Sequence, residues 1–155
     1  MFKNILVPHA GTKAGDKAIE FATNMAKIYG DSKITILHVV ENIPVPPSLA
    51  FHLERNEIAK QFKQVRGDLK KEMYNRLNFK AKKIKKQGVA ATVRILHGHP
   101  DEEITRVVNE NSYDIVIMAK RRRLRGLKGI LQLGSVSRKV LERISCPVVL
   151  IDGEK

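Results

Sequence analysis

Residues 113–151, YDIVIMAKRRRLRGLKGILQLGSVSRKVLERISCPVVLI, decide the fold. The apolar run Asp114–Ala119 (DIVIMA) shows no polar alternation, and neither does Pro147–Ile151 (PVVLI) at the far end. Runs of this length and evenness read as strands covered on both faces. Gly134 to Ile144 reads as a helix between them. Strand, helix, strand is the unit that lays two parallel strands side by side. The connection into that helix carries Lys120, Arg121, Arg122, Arg123, Arg125 and Lys128 with no acid among them.

Upstream, the alternation continues. Lys3–Pro8 (KNILVP) is a short apolar strand closed by proline. Thr12 is placed as the N-cap of a helix whose stripe runs Ala14, Ala18, Ile19, Ala22, Met25 and Ala26, with Gly30 at its end. Lys33–Val40 (KITILHVV) is a second strand, followed by the three prolines of Glu41–Ser48. A long helix is expected from about Leu53 to Gln87. Ile58, Phe62, Val65, Leu69, Met73, Leu77, Ala81 and Ile84 would form one continuous apolar face, with Gly67 as the place for a bend. Val89–Leu96 (VAATVRIL) is a third strand. His97 to Pro100 make a turn, and Asp101, Glu102 and Glu103 open a helix reaching about Asn111, where the dipole favours acids. The pattern βαβαβαβαβ with evenly apolar strands predicts an α/β fold: a five-stranded parallel, doubly wound sheet in an α/β/α sandwich. Residues 1–155 read as a single domain. In such sheets ligands bind outside the carboxyl ends of the strands, where strand order reverses. The loops beginning at His9, Val40, His97 and Lys120 are therefore the candidate site.

The net charge is +13, and its excess is local. Residues 54–86 carry twelve Lys/Arg against four Asp/Glu, and residues 120–128 carry six cations and no acid. Fields of this kind attract phosphates, nucleic acid or an acidic partner. The lone cysteine, Cys146, has no internal partner, no apolar run approaches a membrane span, and the first residues do not form a signal peptide. The expectation is a cytoplasmic protein without membrane association. Cys146 itself reads as a small buried hydrophobe.

Two nucleotide signatures are missing: GxxxxGK[ST], and GxGxxG after the first strand. What remains resembles the universal stress protein family over nearly the whole chain. KNILVPHAGT is similar to that family's first strand and turn, a V-P-x-D-G-S/T pattern, and ITILHVVE to its second strand. GHPDEEI resembles its Gly-x-Pro turn, YDIVIMA its D-L-I-V-M-G strand, and LGSVSRKVLERISCPVVLI its closing helix and strand. Together, in this order, these strings are specific.

The resemblance implies a regulatory protein of the stress response, a homodimer built with the last strand, and a pocket for ATP, another adenine nucleotide or another phosphate-bearing ligand. In many members a G-x2-G-x9-G-S/T stretch holds the phosphates, because glycines let backbone N–H groups approach and a helix start supplies more donors. Here Gly134-Ser135 is present, whereas Ala119 and Arg122 or Arg123 stand where the two earlier glycines should be. The family's acid at the first turn is Ala10. Val7, Pro8, His9, Ala10, Val39 and Val40 would wall the base pocket. Ala119, Lys120, Gly134, Ser135, Val136 and Ser137 would carry sugar and phosphates, with Arg121 and Arg122 replacing lost backbone donors. The alternatives are a basic module for nucleic acid or acidic partners, using the loop and the lysine-rich helix, and a merely solvated loop. No aromatic residues interleave the basic run, which argues against a stacking platform. His9, His38 and His97 fall near three strand ends, yet no acid or cysteine joins them, so no metal is assigned. His38 reads as core or pocket wall, and Met118 and Met25 as core. Ser135 and Ser137 have no neighbouring base, and no residue is assigned to catalysis.

Overall fold

The structure, a computed structural model, describes residues 1–42, 57–120 and 134–152. Its elements in chain order are β1 (Asn4–Pro8), α1 (Lys13–Tyr29), β2 (Lys33–Val40), α2 (Glu57–Lys86) and β3 (Ala90–His97), then α3 (Pro100–Glu110), β4 (Ile115–Lys120), α4 (Ser135–Arg143) and β5 (Val148–Asp152). The five strands form one sheet in the order β3-β2-β1-β4-β5, and every pairing is parallel. Strand order reverses between β1 and β4, the switch point of a doubly wound sheet.

Alternate residues of each strand feed two cores. Ile5, Val7, Ile34, Ile36, Ile115 and Ile117 face Ala18, Ala22 and Ala26 of α1 and Leu77, Ala81 and Ile84 of α2. Leu6, Leu37, Val39, Val116 and Met118 face Ile104 and Val107 of α3 and Val140 of α4. This two-sided burial is why the strand sequences lack polar alternation. Helix ends follow local chemistry. The Thr12 hydroxyl accepts from the Gly15 N–H at 3.3 Å, and Gly30 closes α1 with φ +82°.

α2 runs as one continuous helix through Gly67. Its apolar stripe is not uniformly packed: Leu77, Ala81 and Ile84 are buried, whereas Val65 and Leu69 are 48% and 44% exposed. The reason is length. A 30-residue helix is about 45 Å long, and the eight-residue strand beside it only about 26 Å, so α2 outruns the sheet. The start of that helix at Leu53, the prolines of 44–47 and the arginine-rich loop fall outside the described residues.

Candidate functional site

A pocket of about 600 Å³ opens at the carboxyl ends of β1, β2 and β4, over the switch point. Of the residues expected there, Pro8, His9, Ala10, Val39, Val40, Ala119, Lys120, Gly134, Ser135, Val136 and Ser137 all line it. Arg121 and Arg122 lie outside the described residues. Val7 does not line the pocket. It is fully buried in the core under α1 and α2, because alternation along β1 turns it away. Of the four expected loops, the one after β3 contributes Pro100 and Ile104 rather than His97. Met118 is core as expected and also floors the pocket, and His38 is part of its wall.

The pocket lining is chemically mixed. Pro8, Ala10, Leu37, Val39, Val40, Leu69 and Met73 are apolar, and Thr12, His38 and Glu41 are polar or charged. Leu69 and Met73 come from α2, 60 residues or so beyond the first turn, and only their place on the helix's apolar stripe hinted at them. The start of α4 also lines the pocket. Its first intrahelical bond runs from the Arg138 N–H to the Gly134 carbonyl. The N–H groups of Ser135, Val136 and Ser137 precede that ladder, and a helix start with such free donors attracts anions. Lys120 also lines the pocket, with its ammonium 3.3 Å from the Asp152 carboxylate.

Under the first turn lies a polar network that sequence reading missed. The His9 side chain is fully buried. Its Nδ1 accepts from the Gly11 N–H at 2.9 Å, so in the neutral ring the proton sits on Nε2, 2.8 Å from Asp16 Oδ1. Lys80 Nζ of α2 reaches the same Asp16 oxygen at 2.9 Å. The His9 carbonyl accepts from His38 Nδ1 at 2.7 Å, and the His9 N–H donates to Leu37. Burial pushes the His9 pKa below its ordinary value, outweighing the Asp16 carboxylate that pulls it up. Burial would raise the Asp16 pKa, but hydrogen bonds from Lys80 and His9 outweigh it and hold the carboxyl low. Nothing in local sequence pairs Asp16 with Lys80, 64 residues away. With His9 and His38 so engaged, the described residues hold no group of three or more His, Cys, Asp or Glu placed for a metal ion.

Elsewhere, Asp101 does more than complement a dipole. It is 7% exposed and pairs with Lys139 at 3.3 Å and Arg143 at 3.4 Å, tying α3 to α4. Cys146 is partly buried against the α3/α4 core, and that burial raises its thiol pKa.

A sequence model of the universal stress protein family matches residues 1–152. Universal stress protein YxiE of Bacillus subtilis is 30% identical over 154 residues, covering 97% of this chain and 99% of that protein. Among solved structures, MJ0577 of Methanocaldococcus jannaschii superposes with a TM-score of 0.77 at 23% identity, covering 98% of this chain and 96% of that one. A universal stress protein family protein from Arabidopsis thaliana, solved with AMP bound, superposes with a TM-score of 0.60 at 20% identity over 97% of this chain and 91% of that one. At these identities the two structures establish the fold. No helix among the described residues is long and apolar enough to cross a membrane.

Proposed function

This chain belongs to the universal stress protein family, and on that premise we propose that it is a ligand-linked regulator of the stress response whose switch-point pocket holds an adenine nucleotide. One observation carries the reading: a single pocket of about 600 Å³ combines apolar lining with a lysine and a helix start whose first three N–H groups have no partner among the described residues, a combination suited to a base and its phosphate. The AMP bound to the Arabidopsis relative supports the ligand class. Ala10 departs from the family's acid at the first turn, and Glu41 is the carboxylate residue that lines the pocket. Arg121 and Arg122 supply forked cationic contacts in place of the missing glycines. The protein acts as a homodimer joined through β5, in the cytoplasm, where a single unpaired cysteine is at home.

The test is direct. Protein purified without added nucleotide is denatured, and the released small molecules are identified by mass. AMP and ATP are then titrated calorimetrically into native protein. Micromolar binding of either, weakened at least tenfold by Arg121→Ala with Arg122→Ala, is the expected result. An empty pocket with no heat from either nucleotide overturns the reading.

A second reading has one observation in its favour. Lys70, Lys71, Lys82, Lys85 and Lys86 of α2 are exposed, and no carboxylate among the described residues pairs with them. A basic surface of this kind would hold nucleic acid through its phosphates, with affinity falling steeply as salt rises. Unchanged affinity for duplex DNA after Lys82→Glu with Lys86→Glu would remove it.

A further inference from the structure

We propose that His9 is a proton-operated latch on the pocket wall: neutral, it holds the turn Ala10–Thr12 in place, and protonation at Nδ1 releases that turn. The geometry sets the mechanism. Nδ1 must be unprotonated to accept from the Gly11 N–H at 2.9 Å. A proton added there sets N–H against N–H, so the bond is lost and repulsion replaces it. The ring has nowhere to swing. Its side chain is fully buried, and its edge lies over Gly15 so closely that a Cβ there would stand 2.6 Å from Cδ2. Nε2 is also held at 2.8 Å by Asp16 Oδ1. The movement therefore falls on the turn. Ala10 and Thr12 of that turn line the pocket, Thr12 caps α1, and Gly11 sits at φ +76°, a conformation glycine enters and leaves at little cost.

The surrounding groups decide where the latch works. Burial disfavours the imidazolium most. Asp16 on α1 favours it, while Lys80 on α2 and His38 on β2 oppose it. The balance keeps the latch closed at neutral pH and opens it in acid. What the latch controls rests on the reading of the pocket as a nucleotide site; the latch itself does not.

The experiment uses the full chain, labelled with ¹⁵N, and follows the His9 ring nitrogens and the Gly11 amide by NMR through an acid titration. The neutral ring is expected as the Nε2–H tautomer. The Gly11 amide shift is expected to follow the His9 titration with one midpoint, below the ordinary imidazole value of about 6.5. Asp16→Asn removes the carboxylate that favours imidazolium, so both midpoints move together to lower pH. Adenosine, which has no titrating phosphate, is then bound above and below the midpoint, with affinity expected to fall about tenfold in acid. That fold-change corresponds to roughly 1.4 kcal/mol. A Gly11 amide that stays put while His9 titrates overturns the latch. So does a neutral Nδ1–H ring, or a ring that stays neutral until the whole chain unfolds. Equal adenosine affinity on both sides of the midpoint overturns the latch's control of the pocket. If adenosine and AMP fail to bind at either pH, the nucleotide reading falls, and the Gly11 measurement alone decides the latch.

Discussion

A methyl group on Gly15 would stand 2.6 Å from Cδ2 and 2.8 Å from Nε2 of the His9 ring. That ring is anchored at both nitrogens and cannot retreat. Glycine inside a helix ordinarily costs about 1 kcal/mol relative to alanine. Here the sign reverses: Gly15→Ala is expected to destabilise by about 1–3 kcal/mol, as overpacking does. Urea denaturation measures it, and a stabilised variant would mean the ring does not lie where the structure puts it. The same histidine sets a pH dependence. Its pKa is lowered on folding, so between the folded value and about 6.5 the unfolded chain binds more protons. The His9 contribution to stability is complete above that window and is lost as pH falls through it. Asp16, also lowered, acts at more acid pH: its contribution is present above the ordinary carboxylate range and lost as pH falls through its folded value. The urea midpoint is therefore expected to drop between pH 7.5 and pH 5.5, and His9→Gln, which cannot titrate, is expected to drop less. Equal drops in the two proteins would assign the slope to other groups.

At the scale of elements, α2 offers the cleanest measurement. Gly67 lies inside a continuous helix, and apart from that helix's own backbone no atom of the described residues comes within 4 Å of where a Cβ would sit. Gly67→Ala is expected to stabilise by about 0.5–1 kcal/mol, seen as a higher melting temperature. A lower one would show that the helix needs to bend there. Helix α2 also marks how far the sequence could be read. Strand runs were legible because a strand covered on both faces needs apolar residues at every position, as in Ile115–Met118. The α1 ends were legible because Thr12 and Gly30 do chemistry that few other residues do. The α2 stripe was legible as a face. How much of that face the body covers depends on helix length against sheet height, which periodicity does not encode. The pocket's backbone-borne parts followed from topology, since the carboxyl ends of β1, β2 and β4 meet at the switch point. Its side-chain wiring did not. The Asp16–Lys80 and Asp101–Arg143 pairs join residues far apart in the chain, and only the packing of helices brings them together.

The whole molecule is a sheet with two partly exposed edges and a large positive charge. At one edge β3 carries Arg94 and has a single buried residue although α2 packs beside it, and at the other all five residues of β5 are partly exposed. Val149 and Ile151 lean on the α1/α2 core, Val148 and Leu150 on the α3/α4 core, and neither side of β5 is fully covered. An apolar edge strand of this kind invites pairing, and a two-fold dimer satisfies it with one self-complementary patch. Each chain carries +13, however, so two chains repel across the interface they share. Salt screens that repulsion, with a Debye length near 10 Å at 0.1 M. Self-association through β5 is therefore expected to tighten as salt rises from low to moderate concentration. Capture of a polyanion by the same positive charge must weaken over that range, because bound counterions are no longer released into dilute solution. Sedimentation velocity at two salt concentrations separates the two. A dimer fraction that grows with salt, together with an unfolding midpoint that rises with protein concentration, is the outcome expected of a β5 dimer. A monomer at every concentration and salt would leave β5 an open edge. Association that dissolves as salt is added would instead mean that the positive charge is gathering anionic partners.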